Sequence, residues 1–354
     1  MDDQKNVKFI EQIKFELVPY QLNFRRPAKT SRDTLVVREI YFLKAYFLSN
    51  PTKFGLGECS PIYGLSPEIK SEVVGQIQEI ANRVESDNVI DLEQIKRPAI
   101  KFAFESAILD LLNGGERIIF PTFKKQNIPI NGLVWMNGKT PMMEEAFEKI
   151  GQGYKVIKLK IGGIDFEEEL SIIKKIRESN EKITIRLDAN GSFRNDEALD
   201  KLKQLAVFNI HSIEQPIQAN QWDEMKMICE NSPIPVALDE ELIGVNSRAQ
   251  KMELLESIHP QYIILKPSLH GGLSGCDEWI QLAESMNINW WATSMLESSV
   301  GLNVIAQWLS TKNVNLEQGL GTGGLYLNNL PAAWSSENGA LHFDGLESLK
   351  AYQF

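Results

Sequence analysis

Two kinds of periodicity divide the chain. From residue 7 to about 50, VKFIEQIKFELVPYQLNF and LVVREIYFLKAYFL are rich in β-branched and aromatic residues, which predicts strands. The basic stretch between them, RRPAKTSRD, has Pro27 and no apolar period and predicts a loop. After GLGECSPIYGLSP the spacing changes. PEIKSEVVGQIQEIANRVES and IKFAFESAILDLLNG carry apolar residues at helical spacing, and Gly114 and Gly115 offer a stop to the second. Residues 1–120 are therefore expected to form an α+β unit.

From Ile128 the two periods alternate. Strands are predicted at IPINGLVW, VIKLKIG, ITIRLD, HSIE, PVALDE, YIILKP, INWWAT and NVNLE. Helices are predicted between them at MMEEAFEKIGQ, FEEELSIIKKIRES, NDEALDKLKQLAVF, WDEMKMICEN, SRAQKMELLESI, LSGCDEWIQLAESM and SVGLNVIAQWLS. Eight strands with seven intervening helices and short loops predict a parallel sheet closed into a modified TIM barrel of (β/α)7β type over residues 121–324. The tail, residues 325–354, reads as irregular and is expected to pack back on the N-terminal unit.

Five of the barrel runs end in one charged residue: Lys160, Asp188, Glu214, Asp239 and Lys266, at steps of 25–28 residues. The C-terminal ends of barrel strands form the active-site face. Adjacent parallel strands lie ~4.8 Å apart, so three neighbouring ends can set three carboxylates around one ion. One acidic residue after a strand is most simply a helix cap or a surface group. Three at matching ends point to all-oxygen ligation of a hard cation, with Mg²⁺ the natural occupant and Mn²⁺ a substitute. Lys158 and Lys160 share one face by period-two alternation. In the barrel interior they need anions nearby. Each is expected to disfavour protonation of the other, making one a base near neutral pH.

Composition narrows the classes. Net charge is −10, which argues against non-specific nucleic-acid binding. No apolar run approaches the ~20 residues of a membrane span. The start, MDDQKNVKFIEQ, has no signal-peptide pattern, so a cytoplasmic protein is expected. Cys59, Cys229 and Cys276 lie far apart, with no CxxC spacing, and are expected to be reduced, buried thiols.

At this point KLK at 158–160, LDAN at 187–190, IEQP at 213–216, ALDE at 237–240 and ILKPS at 264–268 resemble the muconate lactonizing subgroup of the enolase superfamily, over nearly the whole chain. The resemblance implies an N-terminal capping domain. It implies Asp188, Glu214 and Asp239 as metal ligands, Lys160 as the base with Lys158 as its electrostatic neighbour, and Lys266 as the lysine on the sixth strand. Asn190 and Glu240 match polar positions beside the ligands. Enolase-superfamily sites use such a base with Mg²⁺ to stabilise an enediolate.

INGLVWMNG, SRDTLVVREIYFL, TSMLESSVGL and GLGTGGLYLNN further resemble the o-succinylbenzoate synthase family. That family dehydrates 2-succinyl-6-hydroxy-2,4-cyclohexadiene-1-carboxylate in menaquinone biosynthesis. This implies that Lys160 takes the alpha proton and assists syn loss of hydroxide, while Lys266 serves as a cation. Ser294 and the backbone N–H groups around Gly321, Thr322 and Gly323 are candidate contacts for the succinyl tail. Arg26 or Arg32 could help cover the site. N-acylamino-acid racemase, dipeptide epimerase and muconate cycloisomerase remain alternatives, because two opposed lysines also suit a racemase. The Asp-x-Asp of dipeptide epimerases has no counterpart in LEQGLGTGG. The oligomeric state stays open.

Overall fold

The alternating apolar runs at the start of the chain pair with each other. A computed structural model describes residues 6–29 and 34–352. Within it β1 (Asn6–Lys8) precedes β2 (Ile13–Lys29), β3 (Thr34–Phe47) and β4 (Phe54–Cys59). The last three form an antiparallel sheet in the order β2-β3-β4. α1 (Val73–Asp87), β5 (Val89–Asp91) and α2 (Pro98–Leu112) follow, and β5 pairs with β1.

The basic segment expected as a loop is partly strand. Residues 25–29 belong to β2, and Ala28 and Lys29 pair with Leu35 and Thr34. Four residues of β2, 24–27, stand opposite Val36 alone. This bulge breaks the alternation and leaves Pro27 where no ladder N–H is required. The remainder, 30–33 with Arg32, lies outside the described residues.

β4 packs tightly on α2. A Cβ on Gly55 or Gly57 would lie 2.0 Å from the carbonyl oxygen of Ala107 or Ala103, so the GLG of this strand is a close-approach surface. α2 is buried on nearly every side. Ile100 and Phe104 join the core under the N-terminal sheet, whereas Phe102 and Leu109 join the core of the barrel.

The barrel follows the predicted order. After β6 (Ile128–Pro129) come β7 (Gly132–Val134), α3 (Lys139–Gly151), β8 (Val156–Lys160), α4 (Phe166–Ser179), β9 (Thr184–Asp188) and α5 (Asn195–Ala206). Then come β10 (Ser212–Glu214), α6 (Trp222–Asn231), β11 (Val236–Leu238), α7 (Arg248–Ile258), β12 (Tyr262–Leu265), α8 (Gly272–Ser285), β13 (Asn289–Ala292) and α9 (Ser299–Ser310). β7 to β13 form one parallel sheet in sequence order. Covered by helices, these strands are buried along most of their length.

Closure falls a few residues later than predicted. NVNLE has no regular structure; Gln318 and Gly319 instead bridge to Ile130 and Thr293 at the two edges of the sheet. Gln318 N–H donates to the Pro129 carbonyl at 2.8 Å, and Gly319 N–H to that of Ala292 at 2.7 Å. A contact of two residues is too short to show a period. The predicted first strand also divides, because β6 pairs antiparallel with β15 (Ala340–Phe343). β15 pairs in turn with β14 (Trp334–Glu337), ahead of α10 (Glu347–Lys350), so the tail is more regular than it reads. Before that hairpin, Leu325 accepts the Arg25 N–H at 2.8 Å and Leu327 donates to Asn23.

All three cysteines are free and buried. Among the described residues no helix is long and apolar enough to cross a membrane.

Candidate active site

Parallel pairing sets the charged strand ends side by side. Lys160 is in register with Asp188, and Asp188 with Glu214. Asp239 and Lys266 follow directly after β11 and β12. All five face one region, as the barrel topology requires. Lys158 and Lys160 do share a face: their ammonium groups lie 2.9 and 3.0 Å from the same oxygen, Asp188 Oδ2.

The lysines thread between the acids. Lys158 also pairs with Glu214 Oε2, and Lys266 with Asp239 Oδ2. Lys160 Nζ donates to Asn190 Oδ1 at 2.7 Å, and Asn190 Nδ2 to Glu240 Oε1 at 3.0 Å. Asn190 takes a left-handed φ of 45°, which asparagine tolerates, and its N–H returns to Asp188 Oδ1 at 3.2 Å.

Two residues that the sequence did not single out hold this layer in place. Gln215, at φ 41°, accepts the N–H groups of Asp239 and Glu241 on Oε1, both at 3.2 Å. A left-handed glutamine is a strained backbone of the kind found at functional sites. His270 accepts the Lys266 N–H on Nδ1 at 3.1 Å, which leaves its proton on Nε2, 3.9 Å from Asp239 Oδ1. Burial holds the His270 pKa down to about 3, so the ring is neutral.

The ionisation pattern is uneven. Burial opposes charge on Asp188, yet Lys158 and Lys160 outweigh it and hold its pKa well below the usual range. Asp239 is lowered in the same way, with Lys266 overcoming burial. Glu214 is pushed up, first by burial and then by Asp188. The expected mutual depression of the two lysines fails for Lys158. Burial disfavours its ammonium, but Asp188, Glu214 and Asp239 prevail and raise its pKa.

Among the described residues no three acidic, histidine or cysteine side chains form a ready cluster, because Lys158 stands between Asp188 and Glu214 and Lys266 holds Asp239. Glu214 Oε1 and Asp239 Oδ1 are nevertheless buried without a hydrogen-bond partner. Buried anionic oxygens left open in this way at the ends of two adjacent strands, with Asp188 on the next, fit a hard divalent cation.

A cavity of about 390 Å³ lies over this layer. Lys158, Lys160, Asp188, Asn190, Glu240 and Lys266 line its charged side. The N-terminal unit contributes Leu35 from β3 and Ile62, Tyr63, Gly64 and Leu65 from the loop after β4. Asn131, Leu133, Trp135, Thr293, Ser294, Gly321 and Thr322 are among the residues on the remaining walls. Gly323 and Arg26 are not among the lining residues.

The expected succinyl contacts are largely committed elsewhere. Ser294 Oγ donates to Glu297 Oε2 and accepts from the Leu296 N–H and Thr322 Oγ1, at 2.8, 2.8 and 2.9 Å. Thr322 N–H donates to the Leu320 carbonyl at 2.8 Å. The wall they form is held from the N-terminal unit. Arg38 on β3, nearly fully buried, donates to the Met295 carbonyl at 2.6 Å and to those of Ser60 and Pro61. It thus clamps both loops that flank the cavity. Only the folded chain brings Arg38 to Met295, so no local signal announces it.

Known proteins share this architecture. A family described as enolase C-terminal domain-like matches residues 142–341. The chain is 40% identical to the o-succinylbenzoate synthase of Desulfotalea psychrophila, over 90% of this chain and 96% of that protein. It superposes on the crystal structure of MenC from Desulfotalea psychrophila LSv54 with a TM-score of 0.82 and 36% identity, over 94% of this chain and all of that one (100%). The L-Ala-D/L-amino acid epimerase of a Maribacter species is 26% identical, over 84% of this chain and 87% of that protein.

Proposed function

The chain belongs to the enolase C-terminal domain-like family of enzymes, and from that premise we propose that it dehydrates 2-succinyl-6-hydroxy-2,4-cyclohexadiene-1-carboxylate to o-succinylbenzoate, the menaquinone-pathway reaction that the Desulfotalea relative is named for. Residues 121–324 would carry the reaction, with residues 1–120 as the cap. The observation that carries the reading is that Lys160 and Lys266, on strands either side of Asp188, Glu214 and Asp239, flank these acids along the charged side of one cavity. The match to a synthase along almost its full length supports dehydration over the other reactions such a site can perform.

Asp188, Glu214 and Asp239 would hold Mg²⁺, which supplies charge stabilisation to a carboxylate whose neighbouring carbon loses a proton. Lys160 removes that proton. Asp188 and Asn190 fix its amine at 3.0 and 2.7 Å, aimed into the cavity. Once protonated, Lys160 stands on the face from which hydroxide leaves and can return the proton to it as water. Lys266, held as a cation by Asp239, offsets the negative charge that builds on the substrate and transfers nothing. Leu35, Leu65 and Leu133 close apolar surface over the ring and limit water.

A second reading, racemisation of an N-acylamino acid or dipeptide, is favoured by the same opposed lysines and by the epimerase relative. One preparation decides between them. With Mg²⁺ it should consume the cyclohexadiene, with product followed by ultraviolet absorbance, and a chelator should stop it. Faster α-proton exchange on N-succinylamino acids than dehydration of the diene would instead establish the isomerase.

A further inference from the structure

The cavity is chemically lopsided. Among the described residues every cation lining it, Lys158, Lys160 and Lys266, belongs to the side that faces the three acids. Across from them, at β7, β13 and the closing residues, the polar lining side chains include Asn131, Thr293, Ser294 and Thr322. Ser294 and Thr322 are bonded to each other, and Ser294 to Glu297. Asn131 Oδ1 and Thr293 Oγ1, in contrast, are buried with no hydrogen-bond partner.

Asn131 sits deep. It is 3% exposed, its N–H is tied to the Gln318 carbonyl at 3.0 Å, and it shares a face of its strand with Leu133 two residues on. Gly319 and Gly321 beside it leave the floor open. A Cβ on Gly319 would strike Thr293 Oγ1 at 2.5 Å, and one on Gly321 would lie 3.7 Å from the Asn131 carbonyl. A buried amide oxygen without a partner is costly, so a group outside the chain is the natural partner. With no hydrogen bond fixing its orientation, the carboxamide can present either Nδ2–H or Oδ1.

We propose that Asn131, with Thr293 beside it, is the specificity-determining contact for the uncharged ketone oxygen of the substrate's acyl tail. The proposal rests on the dehydratase reading above. A carboxylate in this position would be desolvated with no cation among the described residues of its wall, which is costly. A carbonyl asks only for the neutral donors that Asn131 and Thr293 carry. The tail carboxylate then lies further out, towards solvent.

Titration calorimetry with two product-like ligands tests this. One is o-succinylbenzoate; the other is 4-(2-carboxyphenyl)butanoate, with a methylene in place of the ketone. The wild type should bind the ketone about tenfold more tightly, as expected for one buried hydrogen bond. Asn131→Leu should lose that preference while leaving the methylene ligand's affinity unchanged. With the diene, KM should rise about tenfold and kcat should change little. Asn131→Ser, smaller and still polar, should retain part of the preference, and serves if the leucine variant fails to fold. Equal weakening of both ligands, or an undiminished ketone preference in both variants, would overturn the subsite. A wild type that discriminates the ligands in this way but does not dehydrate the diene would overturn the dehydratase reading and leave the subsite standing.

Discussion

Buried carboxylates at two places in this molecule are treated differently. At the seam between the N-terminal unit and the barrel, Glu58 accepts the N–H groups of Ser298 and Gly301 at 2.9 and 2.8 Å and the Ser298 hydroxyl. Glu105 on α2 likewise accepts the N–H groups of Leu273 and Ser274 and the Ser274 hydroxyl. Each carboxylate thus caps a barrel helix, α9 or α8, from a different part of the chain, at the positive end of the helix dipole. At the mouth of the barrel the partners of Asp188, Glu214 and Asp239 include lysines, and two of these acids keep an oxygen with no partner. Burial raises the pKa of both seam glutamates, whose donors are neutral. Ammonium groups reverse that effect for two of the three acids at the mouth. Neutral donors are enough to hold two units together. At the mouth, cations and open oxygens stand where the proposed reaction moves charge.

The sharpest way to break this comparison is to remove function without touching the seam. Lys160→Ala should lower kcat by at least about a thousandfold, the order of magnitude of a lost general base, with the thermal midpoint nearly unchanged. Lys266→Arg should retain part of the rate if that residue acts only as a cation. A Lys160→Ala enzyme that keeps a tenth of its activity would remove lysine from the chemistry. Next in size, Asp239→Asn should abolish the rise in melting temperature that added Mg²⁺ gives the wild type, measured without substrate. An unchanged Mg²⁺ shift would take Asp239 out of the ligand set.

The mouth was far more legible in the chain than the seam. Lys160, Asp188, Glu214, Asp239 and Lys266 recur at barrel intervals because each ends one repeat of the same unit, so local pattern and tertiary position coincide. Glu58, Glu105 and Arg38 sit in ordinary strand and helix patterns, and each has a partner more than 160 residues away. Nothing local distinguishes them. His270 and Gln215 carry no local signal, since their roles depend on which backbone N–H each ring or amide meets. In the β2–β3 hairpin only residues 25–29 read as loop, because a bulge and two arginines hide the alternation there. The cavity wall at Asn131 is silent for a related reason: its side-chain Oδ1 meets no hydrogen-bond partner among the described residues.

The seam should answer to stability in place of rate. Glu105→Leu leaves two backbone N–H groups of α8 and one hydroxyl without their partner. Unfolding in urea should show a loss of about 2–4 kcal/mol. Gly57→Ala, which forces a methyl against the Ala103 carbonyl 2.0 Å away, should destabilise at least as much. In both variants Lys160, Asp188 and Asp239 are untouched, so the folded fraction should keep kcat within a few-fold. A normal midpoint with collapsed activity would mean that the seam takes part in the chemistry.

The smallest expected effect is a difference in the sign of pH dependence. His270 beside the mouth and His211 near the barrel floor have pKa values held down to about 3 and about 4, chiefly by burial. In the unfolded chain they titrate near ~6.5, so below that pH the unfolded state takes up protons that the folded state refuses. Their contribution is complete above ~6.5 and is lost as pH falls towards those depressed values. Glu58 and Glu105 act in the opposite sense. Their folded pKa values are raised, so their contribution is present at low pH and is lost as pH rises through those values. Urea midpoints between pH 7 and pH 4.5 should therefore decline less steeply with acid in His270→Gln than in the wild type. The change can reach about 1.4 kcal/mol per pH unit for a single group. Glutamine can still accept the Lys266 N–H, so the variant removes the titration and keeps the hydrogen bond. Glu105→Gln should steepen the same decline, because it deletes a group that favours the folded state as pH falls. Parallel slopes in all three proteins would show that neither region's burial controls its protons.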